Sequence, residues 1–574
     1  MAYLRVRESE LFSPSRRTGT PATTFSIAIL LASSLATRRE APSDTEAVCR
    51  EKVAHPARRH STAAAAQAVL ASGFIRAPSK KRVLPGRVAS PRLNRRSHSG
   101  NLQGKPPSLS FRTLGRQHSI AHKAAHATIP GRPPFHKEEL METDGSTPSR
   151  DEVLAEARRG IERYRKADLE VRVSDPGGRP CCGIPVSVRM VRHEFLFGCA
   201  LFDALADREA EGRKPADGTL LCRWEEFRTL ARDLFNFATI PFYWKTYEPE
   251  KGRTAAGFVC RLYDWCVSSG MTVKGHPLVW HEAVPAWLPQ DETQLLRLMK
   301  ERLERIVRDF GPHSSHPLAF VDFINEPTAA PQHFTNPVAR WMQRVGPDEA
   351  ISTAYDFCRD FDLPSRGIIN HYIHDDEFFS AVRRLIDSGR KVAAVGLQSH
   401  QHGGTRPLWI FWEASTRFAS LGVAVHWTEN SVLSGAHKKL RLVNEQLEAP
   451  GSWPSTPEGE HRQAQELVDQ YTTLFGHPAV AALTQWNFSD ARSWLGAPSG
   501  LLDRNLTPKP AYAALVRLIR KQWWTDAQSA TDATGVCRLR VFRGDYEITA
   551  GSGDNRRSVQ TQVRQPSVSV RIVL

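Results

Sequence analysis

Hydrophobic residues in this chain gather into eight short runs, each closed by polar or turn-forming residues and separated from the next by a helical pattern. The runs at 194–201, 235–241, 272–280, 319–326, 367–372, 392–400, 423–429 and 480–488 have the length and apolar density of buried strands. Between them, as over 292–310, leucines, a methionine and an isoleucine recur at three- and four-residue steps, which predicts amphipathic helices. Eight strands alternating with helices over residues 193–525 predict an α/β protein, a (β/α)8 TIM barrel. The run A-F-V-D-F-I-N-E-P at 319–327 organises the rest. Five of its first six residues are apolar, and Asn325-Glu326-Pro327 stop it. An acid is thereby placed at the C-terminal tip of a strand, where barrels of this class keep their chemistry. A polar residue that merely ends a strand is the plainer reading of this stretch alone.

The flanks follow a different pattern. Residues 151–166 predict a charged amphipathic helix. Leu169-Val171-Val173 and Val186-Val188-Met190 then alternate with polar residues on either side of a D-P-G-G turn, as a hairpin or as two strands of a sandwich. From Cys537 to the end the pattern is again of period two. Neither flank holds enough strands to be stable alone. Segments 168–190 and 535–574 are therefore expected to pair into a small accessory β-sandwich flanking the barrel, with 151–192 as its N-terminal part. It serves as a brace or binds sugar.

Charge changes the picture only for residues 1–140. They hold 24 of the 77 basic residues but 8 of the 61 acidic ones, leaving 53 of each sign in the remainder, so the net charge of +16 lies wholly in this segment. Poor in aromatic residues and without periodicity, it reads as a disordered basic extension. Its Lys80-Lys81-Arg82 run lacks the aromatic interleaving or fold module that nucleic-acid binding needs, and no nucleic-acid partner is expected. The apolar run 25–35 is too short to span a bilayer, so no integral membrane segment is expected. It fits the h-region of a signal peptide with Ala36 at the cleavage edge, although the segment before it would be unusually long. After Met1 the next methionine is Met141, and a start there would remove the whole extension. The first case implies a secreted or periplasmic protein, the second a cytoplasmic one. The nine cysteines are odd in number and scattered, with no Cys-x-x-Cys spacing, and imply neither a disulfide framework nor a metal site.

The predicted strand tips carry a consistent chemistry. They present Trp244-Lys245, His276, Trp280 and His281, Asn325-Glu326, Asn370-His371-Tyr372, Gln398 and His400, Glu429-Asn430, and Trp486 followed by Asp490, Arg492 and Trp494. Indole faces stack on the apolar faces of sugar rings, and amides and carboxylates bond hydroxyls. Glu326 and Glu429, on the fourth and seventh strands, can face each other across the barrel mouth as a retaining glycosidase requires. A metal site at His276 and His281 is conceivable, but a spacing of five sets them on opposite faces of a strand; His281 reads as a sugar contact and His276 as a structural histidine.

The motifs G-H-P-L-V-W-H (275–281), D-F-I-N-E-P (322–327), G-L-Q-S-H (396–400), W-T-E-N (427–430), T-Q-W-N-F-S-D-A-R-S-W-L (484–495) and L-L-D-R-N-L-T-P-K-P-A-Y (501–512) together resemble glycoside hydrolase family 10, the xylanase family among the (β/α)8 glycosidases. The resemblance runs from about Phe195 to Arg520. It implies that Glu326 is the acid/base and Glu429 the nucleophile. It implies that Asn325 binds the 2-hydroxyl of the reacting sugar, that Lys245 and His281 line the same subsite, and that Trp486 and Trp494 floor and wall it. Gln398 and His400 would lie beside Glu429, with His400 orienting it and with Asn325 and His400 donating hydrogen bonds to it. Two departures stand out. Pro241-Phe242 fill positions where the family usually has a Glu-Asn pair gripping the next sugar, and Asn430-Ser431 replace the usual Leu-Asp after the nucleophile.

The expectation is a retaining, endo-acting hydrolase of β-1,4-xylosidic bonds, with xylan or a related β-glycan as substrate, no metal or organic cofactor, and a monomeric state. The alternatives are a glycosidase for another β-glycan and a non-catalytic carbohydrate-binding protein on a barrel of this type.

Overall fold

The computed structural model describes residues 147–204, 218–328, 330–362, 366–443, 446–447 and 451–574. The basic extension, the apolar run 25–35 and Met141 lie outside the described residues.

The strands in chain order are β1 (Lys166–Ser174), β2 (Pro185–His193), β3 (Leu196–Ala200), β4 (Phe237–Pro241), β5 (Thr272–His276), β6 (Phe320–Asn325), β7 (Gly367–His371), β8 (Ala394–His400), β9 (Ala424–Ser431), β10 (Leu442–Val443), β11 (Gln446–Leu447), β12 (Val480–Gln485), β13 (Asp526–Ala530), β14 (Val536–Phe542), β15 (Gly544–Ala550), β16 (Arg557–Val563) and β17 (Ser567–Val573). β3 to β9 and β12 pair in parallel, and β12 closes the ring by bonding both β9 and β3. These are the eight strands expected from the apolar runs. Strand β9 is buried at every position, as a barrel strand covered on both faces must be.

Helices surround the ring. The helix Glu292–Phe310 starts where Asp291 accepts a hydrogen bond from the Gln294 amide and buries Leu295, Leu298, Met299, Leu303, Ile306 and Phe310 on one side. No described helix is long and apolar enough to cross a membrane.

The flanking strands form two sheets, β14-β1-β17 and β13-β2-β15-β16. β1 and β2 belong to different sheets, so the pair is not a hairpin but two layers of the accessory sandwich. Their alternation is the reason: Leu169, Val171 and Val173 from β1 and Val186, Val188 and Met190 from β2 are all buried. Aromatic rings join this unit to the barrel. Phe475, on a barrel helix, lies 6.3 Å from Phe542 of β14 and 5.4 Å from Phe197 of β3, centroid to centroid. Arg165 donates to the carbonyls of Phe475, His477 and Val480, which ties the entry to β1 to the base of β12.

Candidate active site

The C-terminal strand ends bring their polar side chains together. Glu326 follows β6 directly with a φ of 54°, a left-handed backbone that residues other than glycine rarely adopt. Such a conformation costs about 1–3 kcal/mol and persists only where its surroundings hold it. Here the Glu326 amide donates to the Asn370 carbonyl at 2.8 Å. Its carboxyl accepts from the Trp280 indole at 2.9 Å and from Gln398 Nε2 at 3.0 Å. Burial raises the pKa of this carboxyl above the usual glutamate range. The Gln398 hydrogen bond opposes that rise, and the charge of Glu429 adds to it.

Glu429, near the end of β9, is equally buried but shifted the other way. Burial pushes it up, yet His276, His400 and Lys274 outweigh that and hold it below the usual range. Asn370 Nδ2 donates to Glu429 Oε1 at 2.6 Å, and His400 Nε2 lies 3.1 Å from Oε2. The Ser431 hydroxyl, 2.9 Å from His400 Nδ1, can donate there and leave the Nε2 proton for Glu429. Serine thus stands behind His400 at one of the two positions where the family resemblance implies Leu-Asp.

The two glutamates are linked by three carboxamides. Asn325 Oδ1 accepts from Asn370 at 2.8 Å and from Gln398 at 3.3 Å. The Asn325 side chain hydrogen-bonds Glu326, and the amide donor to Glu429 is Asn370 in the place the resemblance implied for Asn325. Gln398 serves Glu326 rather than Glu429. β6 and β7 pair Asn325 with Asn370, which sets that amide between the two sites, while β8 and β9 pair Gln398 with Glu429, so that Gln398 lies beside Glu429 although its amide reaches Glu326.

Beneath Glu429 lies a buried charged cluster. Asp322 Oδ2 accepts from Lys274 Nζ at 2.7 Å and lies 2.6 Å from His276 Nδ1, and all three side chains are almost wholly enclosed. Burial pushes Asp322 up, but Lys274 and His276 bring it below its usual range. His276 Nε2 reaches to 3.8 Å from Glu429 Oε1. His276 is thus part of the site and more than a structural histidine. Lys274 and His276 lie on the same face of β5, the one turned to the barrel interior, and a lysine inside an apolar strand was the sequence signal for this cluster.

Trp486 and Trp494 flank the mouth. Their rings lie 5.9 and 4.8 Å from that of His400. His281 is fully buried, with neither ring nitrogen hydrogen-bonded, and burial lowers its pKa to about 3. A neutral imidazole with two free nitrogens is suited to a hydroxyl. Its Nε2 lies 3.8 Å from Glu282 Oε1. His281, Glu282 and Glu326 each offer an atom within 4.8 Å of the others. Glu282 is raised by burial first and then by Glu326 and Glu429.

Lys245 is not brought in. It is exposed on the short helix Trp244–Tyr247 and makes no side-chain hydrogen bond or ion pair. Tyr243 takes the inward place, 5.5 Å from the His276 ring and 5.6 Å from that of Trp280. Phe242 turns outward, packing on Tyr247 and Phe310. It lies in the strand–helix layer. Asp490 is held by Lys509 at 2.6 Å, deep in the loop after β12. The sequence reading missed Tyr243, Glu282, Lys274 and Asp322.

A closed parallel barrel whose rim pairs a glutamate raised above its usual range with one held below it belongs to the broad class of (β/α)8 proteins that work at the C-terminal face. Residues 229–518, just over half of the chain, match the family model for glycosyl hydrolase family 10, and the chain belongs to that family. Among its relatives, the anti-sigma-I factor RsgI6 of Acetivibrio thermocellus is 25% identical over 406 residues, 69% of this chain and 46% of that protein. Endo-1,4-beta-xylanase B of Thermotoga neapolitana is 24% identical over 318 residues, 52% of this chain and 84% of that one. Among solved structures, xylanase 10B from Thermotoga petrophila RKU-1 in complex with xylobiose aligns with 57% of this chain and 95% of its own, at 23% identity and a TM-score of 0.46. The chain spans 46%, 25% and 23% of the first three curated relatives it matches.

Proposed function

We propose that this chain is a retaining, endo-acting glycoside hydrolase that cleaves β-1,4-xylosidic bonds in xylan. The observation that carries the proposal is the opposite displacement of two buried carboxyls, Glu326 upward and Glu429 downward, joined through Gln398, Asn325 and Asn370. Several family relatives bear the name endo-1,4-beta-xylanase, which supports the choice of substrate.

In the proposed double displacement the Glu429 carboxylate bonds to the anomeric carbon as the glycosidic C–O bond breaks. Glu326 gives its proton to the departing oxygen. Esterification removes the charge of Glu429, the pKa of Glu326 falls, and Glu326 then takes a proton from water. The water oxygen bonds to the anomeric carbon, and the ester bond to Glu429 breaks. His276 and His400 keep Glu429 charged before attack. Asn325, Gln398 and His281 bond sugar hydroxyls, while Trp486 and Trp494 stack on the ring. Tyr243 takes the inward role that Lys245 was expected to fill.

The test is reducing-sugar release by the full chain from xylan, arabinoxylan, mixed-linkage glucan and cellulose, beside Glu326→Ala and Glu429→Ala. Release from xylan that both substitutions abolish is expected. Release from another glycan alone would move the substrate and keep the mechanism. Folded protein inactive on all four would favour a carbohydrate-binding role.

A further inference from the structure

At the end of the barrel opposite the glutamates lies a cavity of about 280 Å³ between the strand beginnings and the sandwich. Leu196, Thr272 and Phe320, at the starts of β3, β5 and β6, form its barrel side. Four arginines converge on it: Arg165, Arg192, Arg543 and Arg564. Glu194 is the one carboxylate in its lining, and Asp545 pairs with Arg564 just behind. Four guanidinium groups therefore face two carboxylates.

The arginines differ in how far the protein satisfies them. Arg165 is used by main-chain carbonyls, and Arg192 donates to the Thr272 hydroxyl. Arg564 keeps its Nη1 buried without a partner. Arg543 is 7% exposed, makes no side-chain hydrogen bond or ion pair, and leaves its Nε buried and unpartnered. Glu194 attracts Arg543 without a hydrogen bond, and a guanidinium so placed is only partly compensated and cannot shed its proton. Burial lowers the pKa of both Arg192 and Arg543, against the opposing pull of Asp545 and Glu194.

We propose that this cavity is a binding site for a small polyvalent oxyanion of the phosphate class, which accepts from Arg543, Arg564 and Arg192. A tetrahedral dianion suits donors that arrive from several directions, and guanidinium is the side chain best matched to it. The cavity exceeds the ~30 Å³ share of one water several-fold and sits just below the usual range of ligand pockets, so it has room for a phosphate and a small substituent. The anion would bridge β2, the turn between β14 and β15, and the segment after β16 to the barrel floor. Such a bridge fastens the sandwich to the barrel without touching the glutamates.

The test is thermal unfolding of the full chain titrated with inorganic phosphate, with sodium chloride matching the ionic strength and a sugar phosphomonoester as a second arm. A ligand that binds only the folded state raises Tm with its concentration. A saturating rise of several degrees with phosphate, absent with chloride, is expected. A larger rise at lower concentration with the ester would identify an esterified phosphate as the ligand. Arg543→Gln removes a charge that no side-chain hydrogen bond satisfies, so its Tm without phosphate is expected to match or exceed that of the wild type, while its phosphate-dependent rise disappears. Arg564→Gln is expected to weaken phosphate binding at least tenfold by calorimetry. Equal effects of phosphate and chloride on the wild type, or an undiminished rise in both variants, would overturn the proposal.

Discussion

His276 stands between Asp322 and Glu429, with Nδ1 2.6 Å from the first carboxylate and Nε2 3.8 Å from the second. Since Asp322 also holds Lys274, one buried carboxylate fixes both groups that lower Glu429 from below. Asp322→Asn is expected to cost about 3–5 kcal/mol, because it leaves a buried lysine without its counter-ion. Urea unfolding would measure this. The double variant Lys274→Met/Asp322→Asn should regain most of that stability but not the rate, since His276 still lacks its orienting partner. A double variant that recovers full activity would contradict this account.

The raised Glu326 and lowered Glu429 predict a bell-shaped dependence of kcat/KM on pH. The acid limb should fall below the usual glutamate pKa of about 4.3 and the alkaline limb well above it. The charge of Glu326 raises Glu282, to about 8, so Glu282 is still protonated as Glu326 ionises at about 7. Glu282→Gln is therefore expected to leave the alkaline limb in place. A limb displaced by a full pH unit in Glu282→Gln would contradict this order of titration.

The same two acids bear on stability with a definite sign. Glu326 and Glu282 bind protons more tightly folded than unfolded. Their contribution is full below the unfolded glutamate pKa and is lost as pH rises through their higher folded values. Tm in phosphate-free buffer should therefore decline from mildly acidic pH toward neutral and slightly alkaline pH. The decline should be shallower in Glu282→Gln, as thermal scans across that range would show.

Gly396 offers a test of the amide chain that leaves both glutamates intact. A Cβ there would lie 2.6 Å from Asn370 Oδ1 and 3.0 Å from side chains of Ile368 and Thr428. Asn370 is the donor to Asn325 and Glu429, so Gly396→Ala should displace it. A fall in kcat of about 10–100-fold, with circular dichroism unchanged, is the expected result, in line with the cost of misplacing a reacting group by about 1 Å. Wild-type turnover in this variant would show that the amide can shift without consequence.

The barrel was legible because its strands are apolar on both faces, and Ala319–Pro327 signalled the chemistry through an acid at a strand tip. Glu326, Glu429, Asn325, Gln398, His400, Trp486 and Trp494 meet at the mouth because strand ends converge wherever eight strands close. Two kinds of information were not legible. One is direction within a turn: a one-turn helix after β4 rotates Tyr243 inward and Lys245 outward, and no periodicity exists over four residues to reveal it. The other is the partner of each polar group. Gln398 lies beside Glu429 as expected, yet its amide reaches Glu326, and Asn370 rather than the expected Asn325 donates to Glu429, because side-chain partners follow from register between strands distant in sequence.

The accessory sandwich has a consequence in time. Asp168 in β1 meets Arg540 beside it in β14, 372 residues further along. At about 5–20 residues per second a ribosome takes roughly twenty seconds to more than a minute to make the intervening chain. During that interval the barrel can close while β1 and β2 wait with unpaired edges, which are templates for association with other nascent chains. Strands β13 to β17 therefore act as a clasp, and the yield of folded protein depends on how soon they follow the barrel.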